Sequence, residues 1–171
     1  SHEQVAEEAV RMATYPDSDF YEQTSFRGIE LGARYPDELP AGLSTEASPL
    51  SPHLITLKTD DEESQDQSRN LPPARTSVFV DKASSRVVGI SCQYVQTPLD
   101  RIKESIFAVF GKPLRPVEVT EFASANQIQV TTRLGYGFPK TTVRVQEVDT
   151  LSKQGAGQRT NTIVQVFDAA W

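Results

Sequence analysis

Residues 76–113 read TSVFVDKASSRVVGISCQYVQTPLDRIKESIFAVFGKP, and they predict two β-strands followed by one amphipathic α-helix. Val78 to Val80 form a short apolar run, which a polar turn separates from a longer strand over Arg86 to Gln96. Side chains of equal parity share one face of a sheet. One apolar face of the second strand is therefore predicted to contain Val88, Ile90, Cys92 and Tyr94.

The helix that follows has recognisable signals at both ends. Thr97 is the predicted N-cap, Pro98 is the first helical residue, and Asp100 lies three residues after the cap. Gly111 ends the helix, which is predicted over residues 98–110. Its apolar stripe consists of Leu99, Ile102, Ile106, Val109 and Phe110.

The flanking sequence adds one short helix and several strands. Residues 2–14 predict a marginal helix that must dock on the body of the protein. Residues 53–58 predict a strand, and residues 127–136, 141–149 and 161–168 predict a β-meander. We therefore expect an α+β fold: an antiparallel β-sheet of four to six strands, with the long amphipathic helix and the short N-terminal helix packed on one face. We expect one domain over residues 1–171, with a polar acidic loop at about 59–70.

Charge is distributed unevenly along the 171 residues, whose net charge is −6. Residues 1–70 carry five basic and fifteen acidic residues, a net charge of 5 − 15 = −10. Residues 71–171 carry twelve basic and eight acidic residues, a net charge of 12 − 8 = +4. Either acidic loops solvate the chain and partly neutralise its second part, or one half presents a charged face to a partner. The net charge argues against nucleic-acid binding, and no apolar run reaches the roughly 20 residues of a membrane helix.

Motifs for catalysis, metal binding or cofactor binding are missing from the sequence. Cys92 is the single cysteine, so it makes no intrachain disulfide, and His2 and His53 stand in no ligand motif. The acidic loop lacks the alternating ligands and the glycine of a calcium-binding EF-hand. We expect no enzyme activity, no cofactor and no metal.

Aromatic residues are concentrated in two places. Phe26 to Tyr35 surround a turn bracketed by glycines, and Tyr136 and Phe138 belong to a second glycine-rich turn. The favoured interpretation is that the aromatics cover the core where loops cross the sheet. The functional interpretation is an aromatic contact patch. On that interpretation the partner-binding residues are Phe26, Arg27, Arg34, Tyr35, Tyr136 and Phe138.

Three short stretches resemble parts of small bacterial envelope proteins. They are Phe26-Arg27-Gly28-Ile29-Glu30-Leu31-Gly32, the helix end Phe110-Gly111-Lys112-Pro113 and the strand end Val166-Phe167-Asp168. These are the SmpA/OmlA-type assembly lipoproteins and domains similar to β-lactamase inhibitory protein. The resemblance implies a helical pair packed on an antiparallel sheet, protein binding without catalysis, and a periplasmic or extracytoplasmic location. Ala33-Arg34-Tyr35-Pro36 departs from the continuous second helix of that group.

These observations predict a non-catalytic protein-interaction or assembly module of a bacterial envelope compartment, with an unidentified protein as partner. The alternatives are a small-molecule or lipid carrier that uses the concave face of the sheet, and a cryptic hydrolase. A deep apolar pocket would favour the carrier. A flat aromatic patch would favour the interaction module, and paired buried carboxylates would favour the hydrolase. The chain begins at Ser1 without an initiator Met, so we expect it to be a processed or truncated product, with an anchor possible upstream.

Overall fold

The computed structural model describes residues 22–46, 51–59, 71–72, 74–111, 113, 118–155 and 157–171. Within this part of the chain, ten strands and one helix are present. A two-stranded sheet pairs β1 with β2, and an eight-stranded antiparallel sheet has the order β3-β4-β5-β6-β10-β9-β8-β7. The elements are β1 Ser25–Phe26, β2 Ile29–Glu30, β3 Leu43–Thr45, β4 Leu54–Thr59, β5 Arg75–Asp81, β6 Arg86–Tyr94, α1 Leu99–Phe110, β7 Glu118–Ala123, β8 Gln127–Gly137, β9 Thr141–Ser152 and β10 Gln158–Asp168.

The prediction of an α+β fold with a sheet of four to six strands is wrong, because the described residues are mostly β. The predicted long helix is present, but eight strands form the sheet against which it packs. Several strands lack the alternation on which the prediction depended, and β7 is exposed at all six of its positions. The predicted N-terminal helix over residues 2–14 and most of the predicted acidic loop lie outside the described residues.

The helix has to cross the sheet because of the strand order. β3 to β6 follow one another as neighbours, but β7 lies four places beyond β6, with β10, β9 and β8 between them. α1 belongs to the connection between β6 and β7. Antiparallel neighbours need only short turns, whereas a connection to a distant edge strand must pass over a face of the sheet. The sequence stretch 76–113 therefore supplies both a central strand pair and the cover for one face.

The helix covers what we call the helix-covered face, where its apolar stripe belongs to one core with residues of six strands, including Leu57 of β4. The helix contributes Leu99, Ile102, Ile106, Val109 and Phe110, all buried. The sheet contributes Val78, Ile90, Cys92, Tyr94, Leu134, Tyr136, Val143, Val145, Val164 and Val166. The predicted stripe is thus confirmed, and its burial supplies most of the hydrophobic stabilisation of the helix.

A register shift in β5 and β6 changes the predicted parity of one residue. Between Phe79 and Val80 the pairing slips, so that Val80 pairs with Val87 and Phe79 pairs with Gly89. Val88 is the extra residue, and it joins a small cluster with Leu54 and Phe79 instead of the main core. The prediction that Val88 shares a face with Ile90 is therefore wrong, because a β-bulge inserts one unpaired residue into the alternation.

Replacing Ile102 or Phe110 by alanine should destabilise the fold by about 2–5 kcal/mol, because each substitution leaves a cavity between α1 and the sheet. Both side chains are fully or almost fully buried. The measurement is the free energy of unfolding in denaturant, with Glu104→Ala on the exposed side of α1 as the control. An unchanged unfolding midpoint in both core variants would contradict this packing.

Candidate functional site

Three of the four predicted aromatic residues lie in the core instead of on the surface. Phe26, Tyr136 and Phe138 are at most 6% exposed. They form one row with Phe110, whose ring centroid is 5.9 Å from that of Phe26 and 5.6 Å from that of Tyr136. Phe138 stacks on Tyr136 at 5.9 Å. This arrangement fits the interpretation in which the aromatics cover the core, and it leaves them unavailable as exposed anchors in this conformation.

The tyrosine hydroxyl in this row ties the sheet to the end of the helix. Tyr136 donates a 2.6 Å hydrogen bond to the carbonyl oxygen of Gly111. Burial raises the pKa of Tyr136 well above its ordinary range, so the hydroxyl keeps its proton and remains a donor. Tyr136 therefore has a structural task in which both its ring and its hydroxyl are used.

The other predicted partner-binding residues lie around the β1–β2 hairpin and the segment after it. Arg27 and Gly28 form the two-residue turn, with φ angles of 52° and 77°, and Arg27 donates to the carbonyl oxygen of Pro72. Arg34 is exposed, and Tyr35 is half-buried against the core. The structure brings Phe26, Tyr136 and Phe138 into one row. Partner binding by any of the six residues stays a prediction.

Strand β7 forms one edge of the eight-stranded sheet and is exposed along its whole length. Val119 and Phe122 are 60% and 66% exposed, the two highest values among the large apolar side chains of the described residues. They have opposite parity, so they lie on opposite faces of the sheet. The sequence predicts no element over residues 118–123, because their apolar and polar side chains do not alternate regularly.

The backbone of β7 has hydrogen-bonding groups directed away from the sheet. The Ser124 amide donates to the Gln127 carbonyl oxygen at 2.9 Å where the β7–β8 hairpin closes. Hydrogen-bonded and non-bonded positions alternate in an antiparallel pair. The even-numbered residues of β7 therefore bond to β8. The amides and carbonyls of Val119, Glu121 and Ala123 point outward and have no strand partner among the described residues.

The face opposite α1, which we call the open face, combines exposed polar and basic side chains with a buried apolar cluster of Leu54, Phe79 and Val88. Its exposed basic side chains come from six strands, and Glu118 of β7 is an exposed acidic residue among them. Asp81 and Arg86 lie opposite each other at the far end of β5 and β6, and Asp81 accepts from the amide and hydroxyl of Ser84. The other basic residues are Lys58, Arg75, Arg133, Arg144 and Arg159.

Strand residues of opposite parity give the helix-covered face the opposite charge. Four acidic residues of the described strands lie on that face: Glu121, Glu147, Asp149 and Asp168. Charge is thus separated between the two faces by the alternation of side chains along the strands. The sequence alone shows only the separation of charge between the two halves of the chain, because assigning charges to faces requires the strand register.

Two of these acidic residues, Glu147 and Asp149, form a carboxyl pair at the start of α1. Glu147 accepts the amide hydrogen of Leu99, and Asp149 accepts the hydroxyl hydrogen of Thr160. The predicted cap is wrong: Thr97 donates its hydroxyl hydrogen to the carbonyl oxygen of Val95, and no side chain caps the helix at the N-cap position. A carboxylate 48 residues away in sequence satisfies the first helical amide instead.

The environment of this pair favours the protonated form of Glu147. Burial raises the pKa of the Glu147 carboxyl above its usual value of 4.5, the hydrogen bond from Leu99 lowers it, and Asp149 and Asp100 raise it further. Both carboxyls are half-buried, and each has a structural hydrogen bond. The pair therefore offers a cap for α1 but no evident general acid and base for a hydrolase.

Over the described ranges, no group of three or more His, Cys, Asp or Glu residues could hold a metal ion. No helix in the same ranges is long and apolar enough to cross a membrane.

No protein-family model matches the chain, and no characterised protein or solved structure is significantly similar to it. The resemblance to bacterial envelope proteins therefore stays a prediction.

Glu147→Gln should flatten the dependence of stability on pH. The raised pKa of Glu147 means that the folded chain binds this proton more tightly than the unfolded chain, so its contribution is greatest at low pH. That contribution is lost as the pH rises through the raised pKa. Glutamine keeps an oxygen for the Leu99 amide but removes the charge. The measurement is the thermal unfolding midpoint between about pH 4 and pH 8, with Glu104→Gln on the exposed side of α1 as the control.

Glu147→Ala tests the cap itself, because it removes the acceptor as well as the charge. It should cost about 1 kcal/mol relative to Glu147→Gln, the usual magnitude for loss of a helix cap. Equal stability of the alanine and glutamine variants would show that the Leu99 hydrogen bond does not stabilise the helix.

Proposed function

We propose that this chain is a non-catalytic protein-interaction module that binds an extended segment of a partner protein along β7. The observation that carries the proposal is an exposed edge strand with outward backbone groups at Val119, Glu121 and Ala123. An added strand would pair with those groups, so main-chain hydrogen bonds would supply affinity, and flanking side chains would supply specificity.

The apolar side chains of β7 support this mode of binding. Val119 and Phe122 project to opposite faces, so an added strand would contact one of them on each side. Phenylalanine is among the residue types enriched in interfaces. Burial of both side chains would remove apolar surface from water, at about 25 cal/mol per Å².

A different protein is a better partner for β7 than a second copy of this chain. An antiparallel pair related by a two-fold axis that is centred on Glu121 would place the two Glu121 carboxylates opposite each other. The net charge of −6 adds repulsion between two copies. Acidic residues on an edge strand are one of the devices that discourage pairing of identical edges.

The alternative functions receive less support. A carrier would need an apolar cavity, but Ile102, Ile106 and Phe110 fill the space between α1 and the helix-covered face. A hydrolase would need carboxyls free to react, but Glu147 and Asp149 hold Leu99 and Thr160. We also propose an extracytoplasmic location in a bacterium, and only the sequence resemblance supports it.

Glu121→Pro should abolish binding of the partner while leaving the fold intact, because proline removes an outward amide that β8 does not use. Glu121→Ala is the matched control, since it removes the same carboxylate but retains the amide. The partner is first captured in cells of the native host, with a photoreactive phenylalanine analogue at position 122. The same analogue at position 101, on the exposed side of α1, is the negative control.

The decisive measurement is amide hydrogen exchange in the complex. Binding should protect the amides of Val119, Glu121 and Ala123, which exchange freely in the isolated chain, and should change the even-numbered amides much less. A captured partner that binds the proline variant as tightly as the alanine variant, without new protection in β7, would disprove strand addition.

A further inference from the structure

A second surface, separate from the backbone edge of β7, is defined by the rows of side chains across the open face. In one row the order across five strands is Lys58, Ser77, Ser91, Gln165 and Arg144. In the next row it is Arg75, Gln93, Ile163, Gln146 and Arg133. Within these five strands each row has a basic residue at both ends and hydroxyl or amide side chains between them, apart from Ile163. On β7 the second row continues to Glu118, which lies opposite Arg133.

We propose that the open face binds an acidic polypeptide segment of a partner protein, lying across the strands with carboxylates at both ends of a row. The proposal is independent of strand addition at β7. The guanidinium groups of Arg133 and Arg144 are planar donors that match carboxylates in geometry. Glutamine and serine side chains between the basic ends can bond to the backbone of the segment.

The dimensions of the rows limit the length of that segment. Lys58 and Arg144 are on strands four places apart, as are Arg75 and Arg133. With neighbouring strands about 4.8 Å apart, each row spans about 19 Å. An extended chain covers about 3.3 Å per residue, so about six residues bridge one row. The expected ligand is a segment of this length with two or more acidic residues near its ends.

The chemistry of the face favours a polypeptide over nucleic acid. Binding of single strands uses exposed aromatic rings as stacking platforms, and neither row contains an aromatic residue. Phe79 and Phe167 stack on each other at 5.8 Å, and Phe122 lies at the outer edge.

The test is a titration of the whole chain with a blocked hexaglutamate peptide at low salt. Binding is measured from the changes in backbone amide chemical shifts. Shifts should change along the two rows, at Ser77, Ser91, Gln93, Gln146 and Gln165. Arg133→Glu combined with Arg144→Glu should weaken binding at least about tenfold. The control, Arg101→Glu combined with Lys153→Glu, changes the net charge equally at exposed positions away from the open face and should change the affinity less than twofold.

Several outcomes would overturn the proposal. The first is that the control substitutions at Arg101 and Lys153 weaken hexaglutamate binding as much as those at Arg133 and Arg144. The second is that the chemical-shift changes are confined to other surfaces. The third is that a hexathymidine oligonucleotide binds more tightly than hexaglutamate. Hexaglutamate binding that appears only after Asp61 to Ser68 are deleted would also overturn the proposal. It would indicate instead that acidic residues of the chain itself neutralise the basic residues of the open face. Melting midpoints show whether the variants are folded. Hexaglutamate should bind the Glu121→Pro variant normally, so failure at the open face is distinguishable from failure at β7.

Discussion

The alternation of side chains along β8, β9 and β10 is the constraint on which the rest of the structure depends. In β9, Val143 and Val145 face α1, whereas Arg144 between them faces the opposite side. A slip of one residue in register would bury the arginine and expose both valines, so this pairing is strongly specified. One apolar face then needs a cover, and the crossing from β6 to β7 places α1 over that face.

The same alternation decides where the charges lie. The acidic residues Glu121, Glu147, Asp149 and Asp168 share the parity of the core residues, and Glu147 accepts the first amide of the helix. The opposite parity carries the exposed basic residues. Packing and electrostatics are therefore coupled: the register that buries Val145 also places Glu147 at the positive end of the α1 dipole.

Local sequence patterns predicted α1, β5, β6 and the meander of β8 to β10, because each has a strong helical or alternating pattern. The fold class was wrong because weakly patterned strands such as β7 extend the sheet. Thr97 looked like a cap, but Glu147 provides the acceptor through a contact that sequence spacing cannot reveal. For the aromatic residues near Gly28 and Gly137 the sequence favours a role in covering the core over a contact patch, and in the structure Phe26 and Tyr136 belong to one buried row. Neither candidate surface could be assigned without the strand register.

The most informative residues for function are those at which local rules and the fold disagree. Proteins protect edge strands with short length, charge, proline or a covering element, and β7 uses charge at Glu118 and Glu121 yet exposes Phe122 by two thirds. An exposed phenylalanine on an unpaired edge increases the risk of aggregation and gives the isolated chain no packing energy. The two glutamates reduce pairing between copies but leave the outward amides accessible to a different strand. This combination of selective repulsion and retained apolar surface is what specific recognition of another protein requires.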